Sequence, residues 1–137
     1  MTHPIDLTSL SNAVMRLAQG FERYQRDTSD TQIRDGLIQR FAFTYELCHK
    51  MLKRYLESVS ATPGEFDSAD FQYLIRSGNE QGLLLGDWPT WRKYRDMRGK
   101  TSHAYDEQMA LDVVAGIAPF LREAHHLLQQ ITSRLQP

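Results

Sequence analysis

Residues 34–57, RDGLIQRFAFTYELCHKMLKRYLE, lie in the segment that decides the fold. The apolar residues of its main stripe recur every three or four positions: Ile38, Phe41, Tyr45, Cys48, Leu52, Tyr55 and Val59. This spacing predicts a long amphipathic helix from about Thr31 to Ser58. A second stripe of Phe43, Leu47 and Met51 predicts that this helix is buried on two sides, either at the centre of a bundle or at a subunit interface.

Helical patterns of the same period lie on both sides of this segment. Before it, apolar residues are spaced by three and four from Leu7 to Tyr24, and Asp6 or Thr8 can cap the start of that helix. After it, the sequence SATPGEFD contains a proline and a glycine and predicts a loop. The chain therefore begins with two long helices.

The middle of the chain carries the start and stop signals of two further helices. Ser68 can cap a short helix that ends at Gly78. Asp87, followed closely by Pro89, predicts the start of another helix, which should end near Gly99. These signals predict one short helix and one longer helix.

The last helix follows Asp106, which can cap its first turn. Its predicted apolar stripe comprises Met109, Val113, Ile117, Leu121, His125 and Leu128. Pro119 interrupts this pattern and predicts that the helix is kinked or divided in two. No alternating strand pattern occurs. The sequence therefore predicts one all-α domain over residues 1–137, an antiparallel up-and-down bundle of four long helices and a short one.

Composition limits the classes of function that this chain can have. The 137 residues are 41% hydrophobic and 24% charged, with a formal net charge of −1, so a nucleic-acid contact requires a local basic patch. Cys48 is the only cysteine, which excludes an intrachain disulfide and a cysteine-based zinc site. The absence of a signal-peptide pattern and of an apolar run of ~18 residues predicts a soluble cytoplasmic protein without membrane contact.

The helical pattern stops at RDMRGKTSHAYDE, residues 95–107, where Arg98, His103 and Tyr105 fall within eight positions. A guanidinium can hold a phosphate with two hydrogen bonds, and a histidine can move a proton near neutral pH. The start of the next helix offers free backbone N–H groups to an anion. This combination is typical of phosphodiester chemistry that needs neither a metal nor a cofactor.

An ordinary structural interpretation accounts for the same residues. Arg98 and Lys100 are favoured electrostatically at a helix C-terminus, and His103 can be a loop histidine bonded to a carboxylate. Tyr105 can be a packing residue. The basic run WRKYRDMR, which includes Arg95, is either a phosphate-backbone patch or a solvated helix face.

The block at 34–57 and the later block W…RDMRGKTSHAYDE, residues 91–107, together resemble the nucleotidyltransferase substrate-binding protein family, a group within the HEPN superfamily of helical domains. The resemblance covers nearly the whole chain. It implies an HEPN-like bundle that forms a homodimer, with a minimal nucleotidyltransferase as its partner. It also implies one of two activities: a toxin–antitoxin module with a ribonuclease toxin, or a non-catalytic subunit that binds a nucleotide or another substrate.

The resemblance assigns roles to individual residues. Arg98 and His103 correspond to the catalytic residues of a metal-independent endoribonuclease, and Tyr105 corresponds to the tyrosine that receives AMP in the silenced form. The remaining substrate contacts are expected to be Arg34, Arg40 and Glu46 of the second helix, Arg95 of the basic run, and Lys100 of the motif segment.

Two positions depart from the family pattern. Gly99 stands where asparagine is common in the family, which puts nuclease activity in doubt and leaves open a dimer with a degenerate site. His49 stands where tryptophan is common, and it is expected to be a packing or interface substitution.

Overall fold

The computed structural model describes residues 5–136, and the regular structure of these residues is entirely helical. Six α-helices were found within them: α1 (Thr8–Arg26), α2 (Thr31–Val59), α3 (Phe71–Glu80), α4 (Trp88–Lys100), α5 (Glu107–Ala115) and α6 (Ile117–Leu135). Two 3₁₀ turns, Pro63–Phe66 and Thr101–His103, lie between them. The predicted all-α bundle is confirmed, with the last long helix divided into α5 and α6.

Helix α2 is the centre of the bundle and contacts each of the other five helices. Its main stripe is buried as predicted, except that Val59 at the end is half exposed. The second stripe is buried only in part, because Met51 is covered whereas the Phe43 side chain is 57% exposed. The main stripe of α2 thus packs in the core, whereas Phe43 and Leu47 line a surface groove.

Aspartate side chains start four of the helices. Asp87 accepts from the backbone N–H of Thr90, and Asp106 accepts from that of Met109, as the sequence predicts. The prediction for α3 is wrong at both ends. Asp70 caps it in place of Ser68, because its carboxylate reaches the N–H of Tyr73 at 2.8 Å.

Helix α3 continues past Gly78 because that glycine keeps a helical backbone and allows close packing. A Cβ at position 78 would lie 3.1 Å from a methyl carbon of Leu52 on α2. The helix ends instead at Glu80, and Gly82 follows it with a φ of 71°, which is readily adopted only by glycine. The backbone N–H groups of Gly82 and Leu83 then bond to the carbonyl oxygens of Asn79 and Gly78, which completes the helix end.

The C-terminal helix is divided at Gly116, three residues before the proline that predicted the break. Pro119 therefore stands in the first turn of α6, where a missing N–H leaves no hydrogen bond unmade. Beyond Ile117 the centre of the apolar face is shifted by one position, because the fully buried residues are Phe120, Ala124, Leu127 and Ile131. Leu121 and Leu128 of the predicted face are partly buried against the core. His125 is exposed.

An aromatic cluster fills the core between α2, α4 and α6. The Phe41 and Phe120 rings meet edge to face at 4.9 Å, and Tyr94 contacts Phe120 at 5.1 Å. Trp91 is fully buried among these rings, so it is a core residue and not a surface for stacking bases. Burial raises the pKa of both Tyr45 and Tyr94 to about 12, which keeps their hydroxyls protonated.

The loop between α3 and α4 is fastened to α6 by one buried carboxylate. Glu123 accepts hydrogen bonds from the backbone N–H groups of Leu85 at 2.6 Å and Gly86 at 2.7 Å. Burial raises the pKa of Glu123, while the two N–H bonds favour its charged form. This contact sets where α4 begins and hence where its far end lies.

Crossing a bilayer requires a longer and more apolar helix than any found between residues 5 and 136.

Two glycines are expected to respond in opposite ways to an added methyl group. Gly36 lies on the exposed side of α2 with open space around it, so Gly36→Ala should raise the free energy of unfolding by up to ~1 kcal/mol. At Gly86 a Cβ would lie 2.6 Å from Thr90 Cγ2 and 2.8 Å from Glu123 Oε1, so Gly86→Ala should lower it by about 1–3 kcal/mol.

Urea denaturation followed by circular dichroism measures both effects. Equal stability of the two variants would contradict the assigned packing around Gly86.

Candidate functional site

Arg98 stands in the last turn of α4 and is held by a carboxylate from α2. Its Nε and Nη2 atoms both donate to Glu46 Oε1, at 2.9 and 2.7 Å. The two residues are 52 positions apart in the chain, and the contact exists because α4 packs on α2. Glu46 thereby orients the guanidinium from one edge.

Thr101 holds the same guanidinium from a second side. Arg98 Nη1 donates to Thr101 Oγ1 at 2.8 Å, and that hydroxyl donates to the Arg98 carbonyl oxygen at 2.6 Å. An arginine side chain has five N–H donors, of which these contacts use three. One N–H remains on each terminal nitrogen, and such a pair can take two oxygens of a phosphate.

His103 and Tyr105 lie beyond this pair, at the end of the 3₁₀ turn and just before α5. Both side chains are exposed, Tyr105 to 89%, and their ring centroids are 6.2 Å apart. The ordinary interpretation of Tyr105 as a packing residue is wrong, because almost none of its surface is covered. No hydrogen bond to a carboxylate orients His103 within the described part of the chain.

A groove of about 910 Å³ opens beside Arg98, between α1, α2 and the 3₁₀ turn. Its polar lining residues are Ser9, Asn12, Arg16, Gln39, Arg40, Glu46, Arg98, Thr101 and Ser102. Arg40 is oriented in it by a 2.7 Å bond from Nη1 to the carbonyl oxygen of Arg16. The groove brings together three of the predicted residues, Arg40, Glu46 and Arg98, and it ends one residue before His103.

Arg34 lies apart from this groove, in the first turn of α2. It is only 7% exposed, and its Nη1 donates to Glu107 Oε1 at 2.7 Å. This bond raises the pKa of Arg34, so the buried guanidinium stays charged. Glu107 is the first residue of α5 and follows Tyr105 by two positions, so Arg34 adjoins the tyrosine end of the motif.

The remaining predicted contacts point elsewhere. Lys100 Nζ donates to Asp112 Oδ2 at 3.1 Å, on the α5 side of α4. The Arg95 guanidinium lies 5.8 Å from the Phe71 ring centre. Neither residue lines the groove, so a phosphate-backbone patch at the groove has Arg16, Arg40 and Arg98 as its cations.

Three other residues singled out in the sequence do not line the groove. Cys48 is fully buried, and burial raises the pKa of its thiol, so it is a small apolar core residue. His49 packs edge to face on Phe71, and burial lowers its pKa. Gly99 is exposed within α4, and a side chain added there would meet nothing within 4 Å.

Sequence reasoning missed Thr101 and Arg16. Thr101 has a detectable signal, since it follows Arg98 by three positions and a helical turn brings such residues together. Arg16 has none, because its place in the groove depends on how α1 packs on α2. Between residues 5 and 136, no group of three or more His, Cys, Asp or Glu side chains is arranged to hold a metal ion.

Residues 5–133 match the family described as nucleotidyltransferase substrate binding protein like. A relative from Haemophilus influenzae, named probable ribonuclease HepT, is 38% identical over 130 residues, which cover 93% of this chain and 88% of that protein. A solved structure from the same organism is described as the fold of a substrate binding domain of a nucleotidyltransferase. It is 35% identical, with a TM-score of 0.86, and the match covers 93% of this chain and 99% of that one.

The two arginine–glutamate pairs should contribute unequally to stability. Both partners of the Arg98–Glu46 pair are partly exposed, so Glu46→Gln should lower the free energy of unfolding by less than about 1 kcal/mol. Glu107→Gln should lower it further, by about 1–3 kcal/mol, because the change leaves a buried guanidinium without its hydrogen-bonded carboxylate.

Urea denaturation in a buffer free of phosphate and sulfate compares the two variants. A larger loss for Glu46→Gln would contradict this ranking.

Proposed function

This chain belongs to the nucleotidyltransferase substrate-binding protein family, and on that premise we propose that it is the partner subunit of a small nucleotidyltransferase. We infer that the unmodified subunit is a metal-independent endoribonuclease, and that transfer of AMP to Tyr105 silences it. The pair would then work as a toxin–antitoxin module in the cytoplasm. The ribonuclease proposal rests on the Arg98 guanidinium, which Glu46 and Thr101 orient. It lines a groove that also contains Arg16 and Arg40.

The proposed cleavage uses Arg98 and His103 on one phosphodiester. His103 takes the proton of a ribose 2′-hydroxyl, and the resulting oxygen attacks the adjacent phosphorus. The bond from phosphorus to the 5′-oxygen breaks, water protonates that leaving oxygen, and the products are a 2′,3′-cyclic phosphate and a 5′-hydroxyl. The two remaining N–H groups of Arg98 bind the non-bridging oxygens as negative charge grows on them.

The position of Tyr105 supports the silencing proposal. At 89% exposure its hydroxyl is accessible to the active site of another protein. The phenolic oxygen would attack the α-phosphorus of ATP, forming a tyrosine–AMP phosphodiester and releasing pyrophosphate, with the phenolic proton passing to a base of the nucleotidyltransferase. The bulky anion would stand next to His103, whose ring centre lies 6.2 Å from that of Tyr105.

A homodimer is part of the same proposal. The groove is open to solvent and exposes an apolar side chain, Phe43, beside the half-covered Leu47. A second copy seated along α2 would cover this apolar surface and place two Arg98 side chains on one continuous groove. RNA would then contact the cations of both subunits.

Gly99 favours a second candidate function. Because a side chain at position 99 would project into open space beside Arg98, its absence removes a polar group from the motif without any compensating contact. A subunit of this kind can bind a nucleotide or RNA phosphate in the groove and cleave nothing. It would then serve the nucleotidyltransferase as a binding subunit.

The ribonuclease proposal predicts that His103→Ala abolishes RNA cleavage in EDTA while the wild-type protein cleaves. Removal of a general base is expected to slow the step by about 10²–10⁴-fold. His125→Ala is the matched control, because His125 is an exposed histidine on α6 outside the motif and should leave cleavage unchanged.

The assay uses a labelled RNA oligonucleotide and mass spectrometry of Tyr105 in the same sample. Wild-type protein that is folded, carries no AMP and leaves RNA whole would support the binding subunit instead. Equal cleavage by His103→Ala and wild type would remove His103 from the mechanism.

Replacement of Gly99 tests whether the missing side chain limits the site. Gly99→Asn restores a polar group, and one added hydrogen bond to a phosphate of the bound RNA is expected to increase the cleavage rate by about tenfold or more. Gly99→Ala is the control, because it adds a Cβ in the same open space without a polar atom. If asparagine and alanine give the same cleavage rate, position 99 does not limit catalysis.

A further inference from the structure

Arg34 is a buried cation whose hydrogen-bonding capacity is satisfied only in part by its surroundings. It lies in the first turn of α2, at the end of the helix dipole that disfavours positive charge. Its side chain is 9% exposed, and its only hydrogen bond among residues 5–136 is the one from Nη1 to Glu107. Asp35 Oδ1 lies 3.7 Å from Nε, which is too far for a hydrogen bond.

The Nε atom of Arg34 is buried and has no hydrogen-bond partner in the described chain. A buried charged donor without an acceptor is destabilising, and a bound ion is one of the partners that satisfy such a group in native proteins. An anion is the ligand that a guanidinium selects, and a phosphate oxygen pair fits its planar donors. Arg34 thus has the character of an anion site that Glu107 fills only in part.

The surroundings of Arg34 strengthen that assignment. Glu107 opens α5, so Arg34 adjoins the N-terminus of a nine-residue helix. Its third N–H group, that of Met109, is already bonded to Asp106, and the first two attract anions. The Glu107 side chain is 68% exposed and is held by a single bond to Arg34, so it can be displaced. Tyr105 precedes Glu107 by two residues, a span of at most about 7 Å along the backbone.

We propose that Arg34 and the N-terminus of α5 form a docking site for the phosphate of the nucleotide attached to Tyr105, which displaces Glu107 from the guanidinium. The proposal rests on the proposed function, because that function supplies the modified tyrosine. Tethering through Tyr105 raises the effective concentration of the phosphate near Arg34. Docking then holds the nucleotide in one position beside His103 and keeps the silenced state stable.

A purely structural role of the Arg34–Glu107 ion pair makes a different prediction. If the pair only stabilises the fold, loss of either partner should weaken the fold and change anion binding in the same direction. An anion site with Glu107 as its competitor predicts opposite effects, because Arg34→Gln removes the receptor whereas Glu107→Gln removes the competitor. Binding affinities of the two variants therefore separate the two roles.

The test measures binding of phenyl-AMP, a nucleotide ester of phenol that has the chemistry of a modified tyrosine side chain, by isothermal titration calorimetry at low ionic strength. Each variant is first shown to be folded by circular dichroism. Relative to wild type, Glu107→Gln should bind severalfold more tightly, and Arg34→Gln should bind at least about tenfold more weakly. Arg54→Gln is the control, because Arg54 is an exposed arginine of α2 that does not line the groove and should leave the affinity unchanged.

Three results would overturn the docking site: undetectable binding to both wild type and Glu107→Gln, equal binding by Arg34→Gln and wild type, or weaker binding by Glu107→Gln. If Arg34→Gln does not fold, Arg34→Lys replaces it, because lysine keeps the charge and lacks the planar fork. RNA cleavage and mass spectrometry of Tyr105 are measured separately. Their failure would reject the proposed function, whereas the phenyl-AMP series alone decides the docking site.

Discussion

Every other helix of this protein packs on α2, and this single constraint positions both arginine sites. A helix that contacts five others must bury one face almost completely, as residues such as Leu37, Phe41 and Cys48 do. Its polar side chains are then confined to the remaining faces. Glu46 emerges where the end of α4 crosses α2, and Arg34 emerges where α5 begins. Residues of α2 therefore contact the segment between α4 and α5 at both ends, at Arg98 and at Glu107.

The two ends of the motif are held by pairs of different physical character. The Arg98–Glu46 pair is open to solvent, so its contribution to stability is small and its effect is to set the direction of two free N–H groups. The Arg34–Glu107 pair joins a buried cation to an exposed carboxylate, so it can exchange one anion for another. Between them, His103 ends a short 3₁₀ turn and Tyr105 follows it by two residues, and both side chains are exposed.

Much of the fold follows from local rules that act along the chain. The spacing of apolar residues gives α1 and α2, and the aspartates before α4 and α5 mark their starts, because a side-chain carboxylate satisfies a free N–H only a few residues away. The errors occur where packing outweighs local preference. Gly78 lies inside α3, where the close approach of Leu52 requires a residue without a side chain. The C-terminal break falls at Gly116, because Pro119 is accommodated in the first turn of α6.

The sequence by itself determined the helical class, because periodicity and caps are properties of neighbouring positions. Its resemblance to a known family identified that family and singled out Arg98, His103 and Tyr105 as the motif residues. Only the tertiary structure decided what those residues touch. It paired Arg98 with Glu46, separated Arg34 from the groove that contains Arg40, and turned Lys100 towards Asp112. Such contacts join residues far apart in the chain, and their geometry depends on how helices pack, which no local pattern encodes.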